Sequence, residues 1–197
     1  MDDRTLATYD NNAARYCDEW LGQPAPTDMQ SLWRQYFECG GASADIGSGS
    51  GRDVDWLNRN GYPCVGFEAS TGLLAEARRR FPHWRFEHAV LPQLLGVDAG
   101  GYRNVVCETV LMHLPASEVR TAVRSLASLL DRCGTLYLSW RVTDGADVRD
   151  AAGRLYCAFP AQAVCDELAG FAWLYDAEET SESSGRRVHR LIVRRTS

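Results

Sequence analysis

The sequence predicts an α/β fold: a doubly wound sheet of seven strands, mostly parallel, ending at one edge in a C-terminal antiparallel hairpin. Three observations carry that expectation. Short apolar runs alternate with amphipathic stretches from residue 43 to residue 140, the pattern of parallel strands joined by helical crossovers. A glycine-rich stretch, Ala44-Asp45-Ile46-Gly47-Ser48-Gly49-Ser50-Gly51-Arg52-Asp53, stands where the first of those strands would turn into the first crossover helix. Near the C-terminus, FAWLYDAEE and RRVHRLIVRR flank the turn-forming Ser181-Glu182-Ser183-Ser184-Gly185, which reads as a hairpin.

In chain order, residues 4–21 read as a helix with Tyr9, Ala13, Tyr16 and Trp20 near one face. A second helix follows the break at Pro24 and Pro26. Thr27 or Asp28 can cap it, Met29, Leu32, Trp33, Tyr36 and Phe37 recur at helical spacing, and Gly40 and Gly41 end it. Then come a strand over 43–47, a helix over 52–60, a strand over 63–68, a helix over 71–81, a strand over 84–88 and a turn-rich piece. A strand over 102–108, a helix over 116–131 and a strand over 134–140 complete the alternation. In the helix over 116–131, Val119, Ala122, Val123, Leu126, Leu129 and Leu130 keep helical spacing and Gly134 lies beyond its end. A polar stretch over 141–158 and a helix near 160–169 lead into the hairpin. One domain is expected over 1–197, with residues 1–38 forming a helical lid on a core of 40–197.

Composition narrows the function. The net charge of −5 opposes a broad attraction to nucleic acid, and no apolar run approaches the roughly 20 residues that would span a bilayer. The start MDDRTLATYDNN lacks the regions of a signal peptide, so a cytoplasmic protein is expected. The seven cysteines show no CxxC pair and the four histidines no HxH or HExxH spacing, so reduced thiols and no metal are expected. Every basic residue is arginine, which removes lysine bases, lysine Schiff bases and a phosphate-loop lysine.

Gly47, Gly49 and Gly51 strip side chains from the loop, so that backbone N–H groups can approach a ligand. In doubly wound sheets this is where nucleotide-like ligands sit against a helix N-terminus. The spacing is GxGxG with Arg52 following, which fits a nicotinamide or flavin fingerprint poorly. About twenty residues on, Glu68 ends the strand Cys64-Val65-Gly66-Phe67-Glu68, where a carboxylate can accept from both hydroxyls of a ribose.

On these residues the chain resembles the class I S-adenosylmethionine-dependent methyltransferases of small-molecule type, over roughly residues 40–140: ADIGSGSGRD looks like their first motif and GFEAS like their second. The resemblance implies a Rossmann-like fold and S-adenosylmethionine as cofactor, released as S-adenosylhomocysteine. It implies Asp45, Gly47, Ser48, Gly49 and Gly51 along the methionine part, Glu68 and Ala69 at the ribose, and His88 and Ala89 beside the adenine, although an acidic residue is commoner where His88-Ala89 stands. The stretch Val105 to Pro115 looks like the fourth motif. It has no Asp/Asn-Pro-Pro-Tyr/Phe sequence of the base-amine methylating members, so a small-molecule acceptor is expected, with no nucleic acid and no membrane as partner; oligomeric state is not specified.

Methyl transfer from a sulfonium is an in-line displacement with a good leaving group, so positioning and exclusion of water supply much of the acceleration. Where the acceptor must lose a proton, His113 or Glu108 is placed to take it, and Glu108 also reaches the cofactor. Cys107, inside an apolar strand without an activating base, is expected in the core rather than as a nucleophile. Tyr9 and Tyr16 are candidates for the lid, while Trp20 is expected to dock its helix. In the stretch over 141–158, Arg141, Arg149, Arg154 and Tyr156 are candidate substrate residues. The arginines can hold a carboxylate or phosphate, or be neutralised by Asp144, Asp147 and Asp150. Cyclisation or another group transfer on the same cofactor, a non-catalytic cofactor-binding module and, more remotely, an NAD-dependent oxidoreductase stand as alternatives.

Overall fold

A computed structural model describes residues 1–143 and 145–196. Its main sheet has the strands β1 (Ser43–Ile46), β2 (Cys64–Glu68), β3 (Arg85–His88), β4 (Tyr102–Cys107), β5 (Leu130–Arg141), β8 (Phe171–Thr180) and β9 (Arg187–Arg195). Their order is β3-β2-β1-β4-β5-β9-β8. The first five run parallel, while β9 pairs antiparallel with both β5 and β8. The expected fold is therefore the observed one, down to the edge hairpin. Inside the stretch read as a polar loop over 141–158, β6 (Val148–Arg149) and β7 (Leu155–Tyr156) add a two-stranded ribbon.

Period-two alternation along the central strands sorts the core onto two faces. Val105 and Cys107, Leu136 and Leu138, and Leu191 and Val193 pack with Val119, Val123 and Leu126 of α6 (Ala116–Ser128). The residues between them, Val106, Tyr137 and Ile192, pack on the other face. There they meet Met29 and Trp33 of α3 (Thr27–Tyr36), Val54 and Leu57 of α4 (Arg52–Arg59), and Leu74 and Ala77 of α5 (Thr71–Arg80). Cys107 is fully buried in this packing, as expected of a core thiol.

Several boundaries differ from the sequence expectation. The helix expected over 4–21 is two, α1 (Asp3–Asn11) and α2 (Ala13–Leu21), broken at Asn12, whose side chain donates to the Thr8 carbonyl at 2.9 Å. Asparagine offers the backbone such an alternative to the helix ladder. Neither Thr27 nor Asp28 caps α3. Pro26 occupies the cap position, and the Glu182 carboxylate in the hairpin turn accepts from the Thr27 hydroxyl and from the Asp28 N–H at 3.0 Å. Phe37 turns extended directly after Tyr36, ahead of Gly40 and Gly41. α6 stops at Ser128, and Leu130, read as helical, already pairs with Tyr102 in the sheet. The helix near 160–169 is one turn, α7 (Gln162–Cys165), continued as a 3-10 turn over Asp166–Leu168.

Candidate active site

A cavity of about 210 Å³ opens at the carboxyl ends of β1, β2 and β4, the crevice where doubly wound sheets take ligands. Gly47, Ser48, Gly49, Glu68, Ala69, Ala89, Glu108, Tyr9, His113 and Arg141 all line it. The fold thus gathers residues spread over most of the chain into one place.

The glycine loop is held from behind. The N–H groups of Gly47 and Ser48 donate to the Phe67 carbonyl at 2.7 and 3.1 Å, that of Gly51 to the Ser48 carbonyl at 2.9 Å, and that of Gly49 to Glu68 Oε2 at 2.8 Å. The first two and the last tie the loop to β2 and the Gly51 donor closes a turn within it, so the expectation that these donors reach a ligand is corrected: the loop offers bare space. A Cβ on Gly47 would stand 2.3 Å from Val110 Cγ2, at a φ of +83°. Gly51, also expected along the ligand, does not line the cavity; its positive φ starts α4 against Phe86 and Phe81.

Glu68 is 6% exposed. Its other oxygen, Oε1, accepts from the Ser70 N–H at 2.8 Å, leaving about two of a carboxylate's four acceptor sites for a ligand. Burial pushes its pKa up, against the pull of those backbone N–H groups. Glu108 accepts from the Tyr137 hydroxyl at 2.7 Å and from the Ser139 hydroxyl, and burial raises its pKa as well. Asp53, paired with Arg52 at 3.0 Å, is a third carboxylate on the wall. Asp45 differs from expectation. It sits in β1 at 2% exposure and off the cavity, where desolvation and the charges of Asp53, Glu68 and Glu108 hold its pKa well up. The Ser48 hydroxyl is buried with no hydrogen-bond partner among the described residues. A bare loop, an orphaned hydroxyl and an acidic wall together suit a ligand that carries hydroxyls and positive charge.

At the opposite wall, His113 follows β4 in a 3-10 turn over Leu111–His113 and is 4% exposed. Its Nδ1 lies 2.6 Å from the Leu155 carbonyl, which can only accept, so the proton is on Nδ1. Nε2 then accepts from the Tyr9 hydroxyl at 2.9 Å. Burial, with Arg154 and Arg141 adding to it, lowers the His113 pKa to about 4, so the ring is neutral at pH 7. Burial raises the Tyr9 hydroxyl.

The remaining sequence candidates lie off the cavity. His88 is exposed and donates to the Ala69 carbonyl at 3.0 Å. Tyr16 stacks on Trp20 at 5.6 Å, and it is Trp20, expected only to dock, that lines the cavity beside Gly49. Arg149 is bound by Asp2 at 2.7 and 2.9 Å. Arg154 is bound by Asp150 at 2.8 and 2.7 Å and lies over the Tyr16 ring. Tyr156 packs edge-on against His113 at 5.2 Å. Asp147 accepts from the Ala158 N–H at 2.8 Å, and Asp144 lies outside the described residues.

Sequence reading missed Thr109, a β-branched residue at a φ of +53°. It also missed Ser181, Ser183 and Ser184 of the hairpin turn, which only the topology brings to the cavity.

Residues 44–134 match the family model of the methyltransferase domain. No curated protein sequence matches the chain. Among solved structures it is similar to the Burkholderia thailandensis 1,6-didemethyltoxoflavin-N1-methyltransferase bound to 1,6-didemethyltoxoflavin and S-adenosylhomocysteine. The TM-score is 0.77 and the identity 17%, over 99% of this chain and 88% of that one. The magnesium protoporphyrin IX methyltransferase of Synechocystis PCC 6803, bound to S-adenosylmethionine, gives a TM-score of 0.71 at 21% identity over 99% and 98%. The 4+2 cyclase SpnF gives 0.65 at 17% identity over 85% and 80%.

Proposed function

From a chain that carries the class I methyltransferase fold and the methyltransferase-domain signature over residues 44–134, we propose an S-adenosylmethionine-dependent methyltransferase acting on a small-molecule O, N or S acceptor. The observation that carries the proposal is the meeting of the bare glycine loop, the Glu68 carboxylate and the acidic wall of Glu108 and Asp53 in one cavity. The cofactors named with the two methyltransferase neighbours support the choice of ligand. One domain over 1–197 serves this function, with residues 1–38 walling the core.

S-adenosylmethionine, when bound, supplies an electrophilic methyl group on a sulfonium. Gly47 and Gly49 leave room for its methionine part, and Glu68 takes the ribose hydroxyls on its remaining acceptor sites. Glu108 faces its positive charge, while Asp53 is balanced by Arg52. Ala69 and Ala89, small and buried, leave space for a flat ring. Trp20, Tyr9 and the hairpin turn exclude water, which strengthens those charge interactions. Neutral His113 accepts from Tyr9 and so fixes the phenol oxygen toward the acceptor as a hydrogen-bond acceptor. Burial above all keeps it neutral, which makes it an orienting group first.

A net charge of −5 and the absence of the base-methylating motif favour a small acceptor over nucleic acid. The seven free cysteines suit a reducing compartment, the cytoplasm.

Calorimetric titration with S-adenosylmethionine, S-adenosylhomocysteine and NAD tests the reading. Micromolar binding of the first two, about −8 kcal/mol, is expected, with at least a tenfold loss in Glu68→Ala. Binding of NAD instead, or of none of them, overturns it. Acceptor products heavier by a methylene separate methyl transfer from cyclisation on the same cofactor.

A further inference from the structure

The three arginines that follow or end β5 have different fates. Arg149 and Arg154 each carry a carboxylate, Asp2 and Asp150, on two nitrogens. Arg141 carries none among the described residues. Its guanidinium lies 4.6 Å above the Tyr156 ring, half-buried, and its side chain lines the cavity beside His113. The other arginine on the wall, Arg52, is neutralised by Asp53. A guanidinium partly withdrawn from water without an anion loses hydration that a ring face offsets only in part, and its planar fork matches a carboxylate or phosphate on two bonds. The cavity is therefore polarised: Glu68 and Glu108 make its glycine-loop side acidic, and Arg141 gives its far wall a positive charge that no carboxylate among the described residues pairs.

We propose that Arg141 binds an anionic group of the acceptor, a carboxylate or a phosphate, so that the enzyme acts on acidic small molecules held between Arg141 and the Tyr9–His113 pair. The proposal rests on the methyltransferase reading for what the neighbouring site holds. Docking the anion at Arg141 points the rest of the acceptor along the wall toward the acidic side, where the methyl donor's charge is held. The same ion pair offsets the Arg141 charge, which adds to burial in lowering the His113 pKa, so an acidic acceptor also eases protonation of His113 relative to the free chain.

The test is calorimetric titration of the full chain, with and without saturating S-adenosylhomocysteine, using benzoate, phenyl phosphate and neutral benzamide as probes. Benzoate or phenyl phosphate is expected to bind at least tenfold more tightly than benzamide, and the two anions tell carboxylate from phosphate. Arg141→Gln removes that preference and Arg141→Lys keeps part of it. Equal binding of charged and neutral probes, binding of none, or a preference that survives Arg141→Gln overturns the proposal. So does loss of S-adenosylhomocysteine affinity in Arg141→Gln in place of the anion preference, which would put Arg141 on the cofactor's own carboxylate. A wild-type chain that ignores S-adenosylhomocysteine but keeps the Arg141-dependent preference loses the methyltransferase reading and keeps the anion site.

Discussion

Replacing His113 by asparagine removes a group whose protonation the fold opposes, and the structure sets the size of the effect. The His113 pKa falls from its ordinary 6.5 to about 4, chiefly because the ring is buried, with Arg154 and Arg141 adding to it against the opposing pull of the Leu155 carbonyl on the Nδ1 proton. The folded state therefore refuses a proton that the unfolded chain accepts below about pH 6.5. Stability from this group is complete above that value and is lost as the pH falls toward 4. At about 1.4 kcal/mol per pKa unit, the wild type should lose about 2 kcal/mol between roughly pH 7 and pH 5 through this residue alone. Buried carboxylates held up by the fold, Glu68 and Glu108 among them, work in the opposite sense, but they are present in both proteins and cancel in the difference. Urea unfolding at the two pH values gives the measurement: the wild type should lose about 2 kcal/mol more than His113→Asn on acidification. Parallel losses would mean that His113 titrates normally, and the assignment of its neutral form as the fixed partner of Tyr9 would fail with it.

Gly47→Ala should destabilise by about 2–4 kcal/mol, read as a lowered melting temperature, because it combines a φ of +83° with a Cβ 2.3 Å from Val110 Cγ2. Gly40→Ala, at a φ of +80° with no atom within 4 Å of its Cβ, should lose only about 1 kcal/mol, and equal losses would remove the clash from the account. Iodoacetamide on the native protein should label the exposed Cys39 and Cys133 and leave Cys107 untouched, since burial raises its thiol far above the ordinary range; rapid labelling of Cys107 would reopen it as a nucleophile.

The sheet was legible because each crossover repeats the same signal, an apolar run followed by a helical stripe, and the glycine loop fixes which turn is first. Helix ends were less legible, since their caps come from elsewhere: Glu182 stabilises the start of α3 from a turn more than 150 residues away in sequence. At the site, Glu68, Ala69 and Ala89 were readable from their places at strand ends. Asp45 was not, because the pleat of β1 decides which neighbours face the cavity and a one-residue step reverses the face; Gly51 was not, because its positive φ serves the start of α4. The hairpin serines carry no local mark at all. The arginines after β5 look alike in sequence, and only folding shows that Asp2 and Asp150 claim two of them.

Residues 1–38 were expected to act as a lid, and the bonds of α1 bear on that. The Thr5 hydroxyl accepts from the Leu155 N–H at 2.8 Å, Arg149 holds Asp2, and the Tyr9 hydroxyl donates to His113. On its other side Asp10 accepts from the Ser70 hydroxyl at 2.6 Å and the Gly72 N–H at 2.9 Å. At roughly 1 kcal/mol for each of the four hydrogen bonds, leaving out the exposed Arg149–Asp2 pair, swinging α1 away costs on the order of 4 kcal/mol, a state held by about one molecule in a thousand. That favours a fixed wall over a swinging lid. It also joins α1 to the segment bearing Leu155 and to the start of α5 just beyond Glu68, so that the His113 side and the glycine-loop side of the cavity share one rigid boundary. Positioning of this kind is what an in-line displacement asks of a protein that has little proton chemistry to supply.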